Sequence, residues 1–453
     1  MNDLASRLRA IVRRETASSG CVGAPDVESS PTSVRELTYV PDPDVSGFLL
    51  QDAARCLGGV NLDDGGACVM VDRRYPADKS HGRRRIEHCM PSDGAPIHLF
   101  DRRIAPTSDW RRRMIFFDTE TTGLSGGAGT LAFLVGCGWF DDEGFTVRQF
   151  FLAGPSGERA LLEALGAILA DASLLVTFNG RSFDVPLMET RWAFHRSAAA
   201  TDDVPHFDML PPARRLWSRR DAGPDTEGCS LSSLERRVLD VHRVGDVPGF
   251  EMPARYFQFL RSGNAALIEG VLEHNRYDIV SLAAVMAHAL WLVEEGPEAC
   301  REPAEQAALG GIYERSGNVE RAVQCYEMAI VRADAEVQRT ALARLAVIFR
   351  REGRHDDAAR SWQGILDLVP RGRRTLTPQE QRAVEALAVH HEHRARDLPS
   401  AHRYARALEA HATGRLKSET DRRLQRIERK LGGGEENGKN GRLAYDAEDL
   451  GHH

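Results

Sequence analysis

The chain has 453 residues, of which 42% are hydrophobic and 28% charged, and its formal net charge is -7. That length leaves room for two or three domains with cores of their own, and the composition excludes a wholly disordered chain. The acidic balance excludes a protein held to nucleic acid by bulk charge, so any such contact has to be local.

Residues 1–35 begin with Leu4, Leu8, Ile11 and Val12 at helical spacing, and continue as a flexible linker rich in Ser, Thr, Pro and Gly from Thr16 to Ser33. Charges spread from Asp3 to Glu15 leave no apolar segment for a secretory signal. Residues 36–110 are irregular, with one strand expected at Ala67 to Asp72, and read as an extension resting on the next domain.

Residues 111–295 alternate strand and helix signals, the mark of an α/β domain. Met114 to Asp118, Leu131 to Phe140 and Thr146 to Leu152 predict a meander of antiparallel strands. A helix over Glu158 to Leu169 buries Leu161, Leu162, Leu165 and Leu169 on one face. A buried-type strand at Leu174 to Phe178 precedes a helix over Ser182 to His195, and Ser230 and Ser232 are candidate caps for a further helix. Asn275 to Val293 is apolar on most sides and predicts a buried helix. Its apolar run from Ile279 is too short to span a bilayer and contains His288.

Residues 300–431 change period. Leu309, Gly310, Tyr313, Gly317, Ala322, Tyr326 and Ala329 fall on the small and aromatic positions of a tetratricopeptide unit. Leu345, Ala346, Phe349, Gly353, Ala358, Trp362 and Pro370 repeat the scheme. A third unit, Arg382 to Leu408, keeps Leu387, Ala388 and Ala401 but loses the aromatic and glycine positions. From Arg301 to Leu431 basic residues outnumber acidic ones 25 to 19, which makes this the basic part of an acidic chain. Arg371, Arg373 and Arg374 read first as a solvated loop, second as a guide for a phosphate backbone. Residues 432–453 lack an apolar period and are expected to be disordered. The eight cysteines include no C-x-x-C pair, which points to a reducing, cytoplasmic compartment without zinc ribbon, disulfide framework or membrane.

Three motifs carry chemistry. The first strand runs into Asp118-Thr119-Glu120-Thr121-Thr122-Gly123-Leu124, and residues two apart on a strand share a side, so Asp118 and Glu120 present two carboxylates to one spot. Such a pair repels itself unless cations lie between, as in the two-metal hydrolysis of phosphodiesters. An isolated D-x-E is more often a turn. Thr177-Phe178-Asn179-Gly180-Arg181-Ser182-Phe183-Asp184 puts Asp184 at the positive end of a helix dipole, where an anion is favoured. His274-Asn275-Arg276-Tyr277-Asp278 places His274 and Asp278 one turn apart on one face, while Tyr277 projects roughly 100° away.

In this order the motifs resemble those of the DEDD exonuclease superfamily, with Asp118, Glu120, Asp184 and Asp278 in the four carboxylate places and His274 in that of the histidine subgroup. Gln149-Phe150-Phe151, His206-Phe207-Asp208, Cys229-Ser230-Leu231, Asp246-Val247-Pro248-Gly249 and Pro253-x-x-Tyr256-Phe257 are similar to the bacterial YprB-type ribonuclease H-like proteins, over residues 36–295. Members often carry C-terminal tetratricopeptide repeats. The resemblance implies an RNase H-like mixed sheet flanked by helices, then an all-α repeat region. It further implies two Mg²⁺ or Mn²⁺ ions held by Asp118, Glu120, Asp184 and Asp278, with His274 as the base. The nucleic-acid 3′ end would lie beside Thr121, Thr122, Gly123 and Leu124, with Asn179 also in contact. The glycine loop Ser125 to Gly129 is longer than exonucleases usually carry there. The repeats suit a protein or peptide partner. Two rival readings are a weakly active or inactive scaffold that binds RNA or protein, and a structure-specific endonuclease using the same metal site.

Overall fold

The computed structural model describes residues 52–92, 96–105, 113–123, 129–218, 228–370, 373 and 375–443. The expected N-terminal helix and linker, Leu124, residues 125–128 of the glycine loop, Arg371, Arg374 and residues 444–453 lie outside the described residues.

A seven-stranded sheet forms the first half. Its strands are β1 (Val60–Asn61), β2 (Cys68–Pro76), β5 (Met114–Thr121), β6 (Ala132–Asp141), β7 (Gly144–Leu152), β8 (Leu174–Thr177) and β9 (His206–Asp208), with β3 (Ser80–His81) and β4 (Arg84–Arg85) in a separate hairpin. The order is β1-β2-β7-β6-β5-β8-β9. Pairing is antiparallel from β1 to β5 and parallel across β5, β8 and β9, so the sheet is mixed. The segment expected to rest on the domain instead joins its sheet, because β2 pairs with β7 along its whole length.

Helices flank the sheet: α1 (Glu158–Leu169), α2 (Asp184–Phe194), α3 (Leu210–Trp217), α4 (Met252–Ser262) and the long α5 (Ala266–Glu295). The alternation of β5 assigns its two faces. Ile115 and Phe117 join the core with Leu161, Leu165 and Trp192, whereas Met114 and Phe116 join the core built around α5. Phe116 is fully buried there, worth about 1.5–3 kcal/mol by area. The even-numbered face continues into Asp118 and Glu120, which is how the acids come to lie under α5.

α5 starts at Ala266, earlier than its apolar run suggested, because Ile268, Val271 and Leu272 continue the buried stripe. It has the length and apolarity to cross a membrane, yet 78% of its most apolar window is buried in the protein, as befits a core helix. Its close approach to the sheet needs glycine. A Cβ on Gly136 would sit 2.3 Å from Asn275 Oδ1 and 2.3 Å from the Ile279 Cδ1 atom, and Gly136 pairs with Asp118. Gly136→Ala is therefore expected to push α5 outward and cost about 1–3 kcal/mol. A urea midpoint unchanged from the wild type would show that the helix yields freely.

The second half is a run of helices, α6 (Pro303–Ser316), α7 (Val319–Arg332), α8 (Ala335–Arg351), α9 (His355–Asp367), α10 (Pro378–His393), α11 (Leu398–Glu409) and α12 (Gly414–Leu443). Gly317 and Gly353 take left-handed conformations between paired helices, and Arg396 does so in the unit that lost its glycine. Gly310 lets the Tyr326 ring close on α6, where a Cβ would meet Cε1 at 2.9 Å. α12 continues to Leu443, through part of the stretch expected to lack structure. Arg373 is not a free backbone guide, since it pairs with Glu380, the carboxylate of the α10 capping box. The first repeat shares a core with the sheet-bearing half. Tyr313 Oη donates to the Val293 carbonyl at 2.6 Å, Arg321 Nη1 donates to the same carbonyl at 3.0 Å, and Trp217 Nε1 donates to Glu305 at 2.7 Å.

Candidate functional site

Three elements deliver the acids. β5 brings Asp118 and Glu120 to its C-terminal end, where a register shift between Glu120 and Thr121 breaks the ladder with β6. Asp184 opens α2 and accepts a hydrogen bond from Thr119 Oγ1 at 2.5 Å. Asp278 and His274 lie one turn apart on α5, with His274 Nε2 3.4 Å from Asp278 Oδ2. One ligand atom each from Glu120, His274 and Asp278 falls within 4.8 Å of the others, a group able to hold a metal ion. Asp118 and Asp184 stand beside this trio, close enough for their charges to act on the same groups. The structure thus brings together all four carboxylates and the histidine singled out in the sequence. Tyr277 turns away from them, onto the His81 ring at 6.2 Å and under the Arg243 guanidinium at 5.4 Å.

Crowded, buried acids resist ionisation. Burial, then the charges of Asp278, Glu120 and Asp184, push the Asp118 carboxyl well above the ordinary range. Burial likewise raises Glu120 to about 8 and Asp184 to about 6, the latter held back by the Thr119 hydroxyl. Asp278 goes the other way: burial would raise it, but His274 and Arg243 hold it below the usual value. For His274, burial opposes the imidazolium, yet hydrogen bonds and charge from Asp278, Asp246 and Glu120 win and raise it to about 9. Strongly shifted groups gathered in this way mark a candidate functional site.

Several residues here escaped sequence reasoning. Asn275 is fully buried and donates from Nδ2 to Asp118 Oδ2 at 2.8 Å, while Gln149 Nε2 donates to Asn275 Oδ1 at 2.8 Å. That chain fixes the Asp118 carboxylate from behind. Arg243 contacts Asp278 and also Glu235, at 2.5 Å, so one guanidinium lies against an acid of the cluster. Glu235 comes from a π-turn, Glu235–Leu239, that follows the short helix Leu231–Leu234; Ser230, and not Ser232, caps that helix by accepting the Ser233 N–H at 3.2 Å. Asp246 lies 2.7 Å from His274 Nδ1, which places a proton on Nδ1 and leaves Nε2 facing the acids. Asp208 Oδ1 accepts the Asn179 N–H at 2.8 Å, and Asn179 itself takes φ 67°, so this carboxylate shapes the turn that presents Asp184. Gln149, Asn275, Asp246 and Asp208 did belong to quoted motifs, though without these roles; Arg243 and Glu235 had no signal in isolation.

Beyond the acids, Thr121 Oγ1 donates to the Gly123 carbonyl at 2.9 Å, and Thr122 Oγ1 accepts the Leu131 N–H at 3.0 Å, which ties down the turn after β5. Thr121, Gly123, Glu120 and Asp184 line a cleft of about 770 Å³. Phe183 and Phe250, 55% and 83% exposed, stand at its wall, where planar apolar groups would find contact. Asn179 sits at the strand end beside Asp208 and outside the lining of this cleft.

Residues 115–290 match the RNase H superfamily, and residues 307–338 match the tetratricopeptide repeat. A Bacillus subtilis (strain 168) protein described as "Uncharacterized protein YprB" is 30% identical over 324 residues, covering 71% of this chain and 75% of its own length. The chain belongs to the YprB-type family of ribonuclease H-like proteins with C-terminal tetratricopeptide repeats.

Proposed function

We propose that this protein is a 3′→5′ exonuclease that hydrolyses the phosphodiester bonds of RNA or DNA with two divalent cations, Mg²⁺ or Mn²⁺, in the cytoplasm. The observation that carries the reading is the convergence of Asp118, Glu120, Asp184 and Asp278 with His274, a cluster whose Glu120 and Asp184 line an open cleft. The donor set fits hard cations: it is carboxylate-rich, and burial and mutual repulsion raise Asp118, Glu120 and Asp184. When bound, the cations neutralise these acids and stabilise the charge that builds on the phosphate and the departing 3′ oxygen. Asp118, Glu120, Asp184 and Asp278 would hold them. His274, oriented by Asp246, accepts a proton from the attacking water through Nε2. By the family resemblance, Thr121, Thr122, Gly123, Leu124 and Asn179 would contact the terminal nucleotide. The repeats would take a protein or peptide partner.

One observation favours the scaffold reading. Arg243 already sets a guanidinium against Asp278, as though the chain supplied part of the missing charge itself. End-labelled RNA, DNA and hybrid substrates with free or blocked 3′ ends, assayed in Mg²⁺, Mn²⁺ and EDTA, separate the possibilities. Stepwise shortening from free 3′ ends in either metal is the expected result. Internal cleavage of blocked strands would replace the exonuclease with an endonuclease, and no cleavage combined with no metal-induced thermal shift would leave the scaffold.

A further inference from the structure

A second cleft, of about 550 Å³, opens between the sheet and the first repeat helix, and five arginines line it: Arg102, Arg103, Arg181, Arg215 and Arg315. We propose that this cleft grips the phosphate backbone of the substrate strand on the 5′ side of the bond being cut. The proposal rests on the nuclease reading above for the identity of the strand, and on the following geometry for the place.

The cleft has two acids, and both are committed. Asp101 takes Arg103 at 2.7 Å and Arg181 at 3.5 Å. Asp208 accepts the backbone N–H groups of Asn179, Arg181 and Leu210 at 2.8, 3.2 and 3.0 Å. Arg215 donates Nη1 to the Phe100 carbonyl at 2.7 Å, which orients its guanidinium without neutralising it. Among the described residues, no carboxylate pairs with Arg102, Arg215 or Arg315. Cations this close repel one another. Burial and the neighbouring charges of Arg215 and Arg344 lower the pKa of Arg315. An arrangement of like charges from separate segments costs stability unless an anion completes it, and planar guanidinium forks match phosphate oxygens.

The position relative to the acids gives the anion its identity. Asp208 links the two sites. It lines the arginine cleft, shapes the turn at Asn179, and its charge is felt by Asp184. A strand whose terminal phosphodiester lies at Glu120 and Asp184 therefore has to cross only the turn Asn179–Phe183 to reach the arginines. The lining there is otherwise Leu99, Phe100, Pro211 and Pro212, and guanidinium forks grip phosphate oxygens whatever the base, so the grip is expected to be independent of sequence. In a chain of net charge -7, such a cleft is how a polyanion is retained. Arg215 belongs to α3 and Arg315 to α6, so the repeat region completes the site.

The test uses the full chain and fluorescence anisotropy of a labelled single strand of about 20 nucleotides, with hydrolysis stopped by EDTA, between about 50 and 200 mM salt. The double variant R215Q/R315Q is expected to bind roughly 10-fold more weakly at the lower salt. Its slope of log Kd against log salt is expected to fall by about 1.4, the loss of two phosphate contacts. R315Q alone, at an exposed position that leaves the Arg215 to Phe100 bond intact, is expected to lose about half of that slope, and R215K/R315K to restore most of it. Unaltered strand binding in both glutamine variants overturns the proposal. So does a strand affinity that survives them while binding of inorganic phosphate or a polyglutamate peptide is lost. If binding falls as expected but the wild type cuts no strand, the exonuclease reading fails and the cleft stands. If the wild type cuts strands while the variants bind normally, the cleft fails alone.

Discussion

Asp118→Asn is expected to reduce metal-dependent hydrolysis by about 10³-fold or more, the several kcal/mol that a metal site contributes to the transition state. The same substitution is expected to stabilise the metal-free protein at alkaline pH. The Asp118 carboxyl is raised by burial and by three neighbouring acids, and a raised acid contributes stability that is present below its unfolded pKa and lost as pH climbs through its folded value. Asparagine carries no such penalty and can still accept the Asn275 hydrogen bond. Melting in EDTA should therefore separate the two proteins by about 1 kcal/mol or more at pH 8, and far less near pH 4. Added Mg²⁺ or Mn²⁺ is expected to stabilise the wild type increasingly as pH rises through the Glu120 value of about 8, since cations need the ionised acids. Equal melting in EDTA at pH 8, with equal metal response, would mean that Asp118 is not part of a metal site.

His274→Ala is expected to lower kcat by about 10²- to 10⁴-fold with a smaller change in KM, the signature of a lost proton acceptor. In the metal-free protein His274 is raised to about 9, so its contribution to stability is full below about 6.5 and vanishes as pH passes about 9. The alanine variant should accordingly be destabilised at pH 6 and approach the wild type above pH 9. A base has to be neutral, and the charges that keep His274 protonated are those of Asp278 and Glu120. Adding Mg²⁺ should shift its NMR titration to lower pH, with release of a proton. A titration fixed near 9 in both conditions, or kcat within a few-fold of wild type after His274→Ala, would remove it from the reaction. Tyr277→Phe is expected to leave kcat close to the wild-type value, because phenylalanine keeps the ring that packs on His81 and Arg243.

Much of this site was legible before any fold was known, and the reason is local geometry. Two residues along a strand or four along a helix define a shared face wherever the element ends up. That rule placed Asp118 with Glu120, and His274 with Asp278. The same locality made the tetratricopeptide register readable through Gly310, Gly317 and Tyr326, since each repeat packs chiefly on its neighbours. Strand β9 was missed because three residues carry too little alternation to distinguish a strand from a turn. The extension at β1 and β2 was misplaced because its pairing with β7 is a contact between segments far apart in the chain.

By itself, then, the sequence determined which acids and which histidine travel in pairs, and which helices stack as repeats. Only the tertiary structure decided that the pairs meet. It alone set Asn275 and Gln149 behind Asp118, brought Arg243 against Asp278, and assembled five arginines from distant segments beside Asp208. Periodicity is a property of one element and survives in the sequence. Electrostatic partnership depends on distances between elements, and those exist only once α5 has settled into the groove that Gly136 and Gly138 leave open.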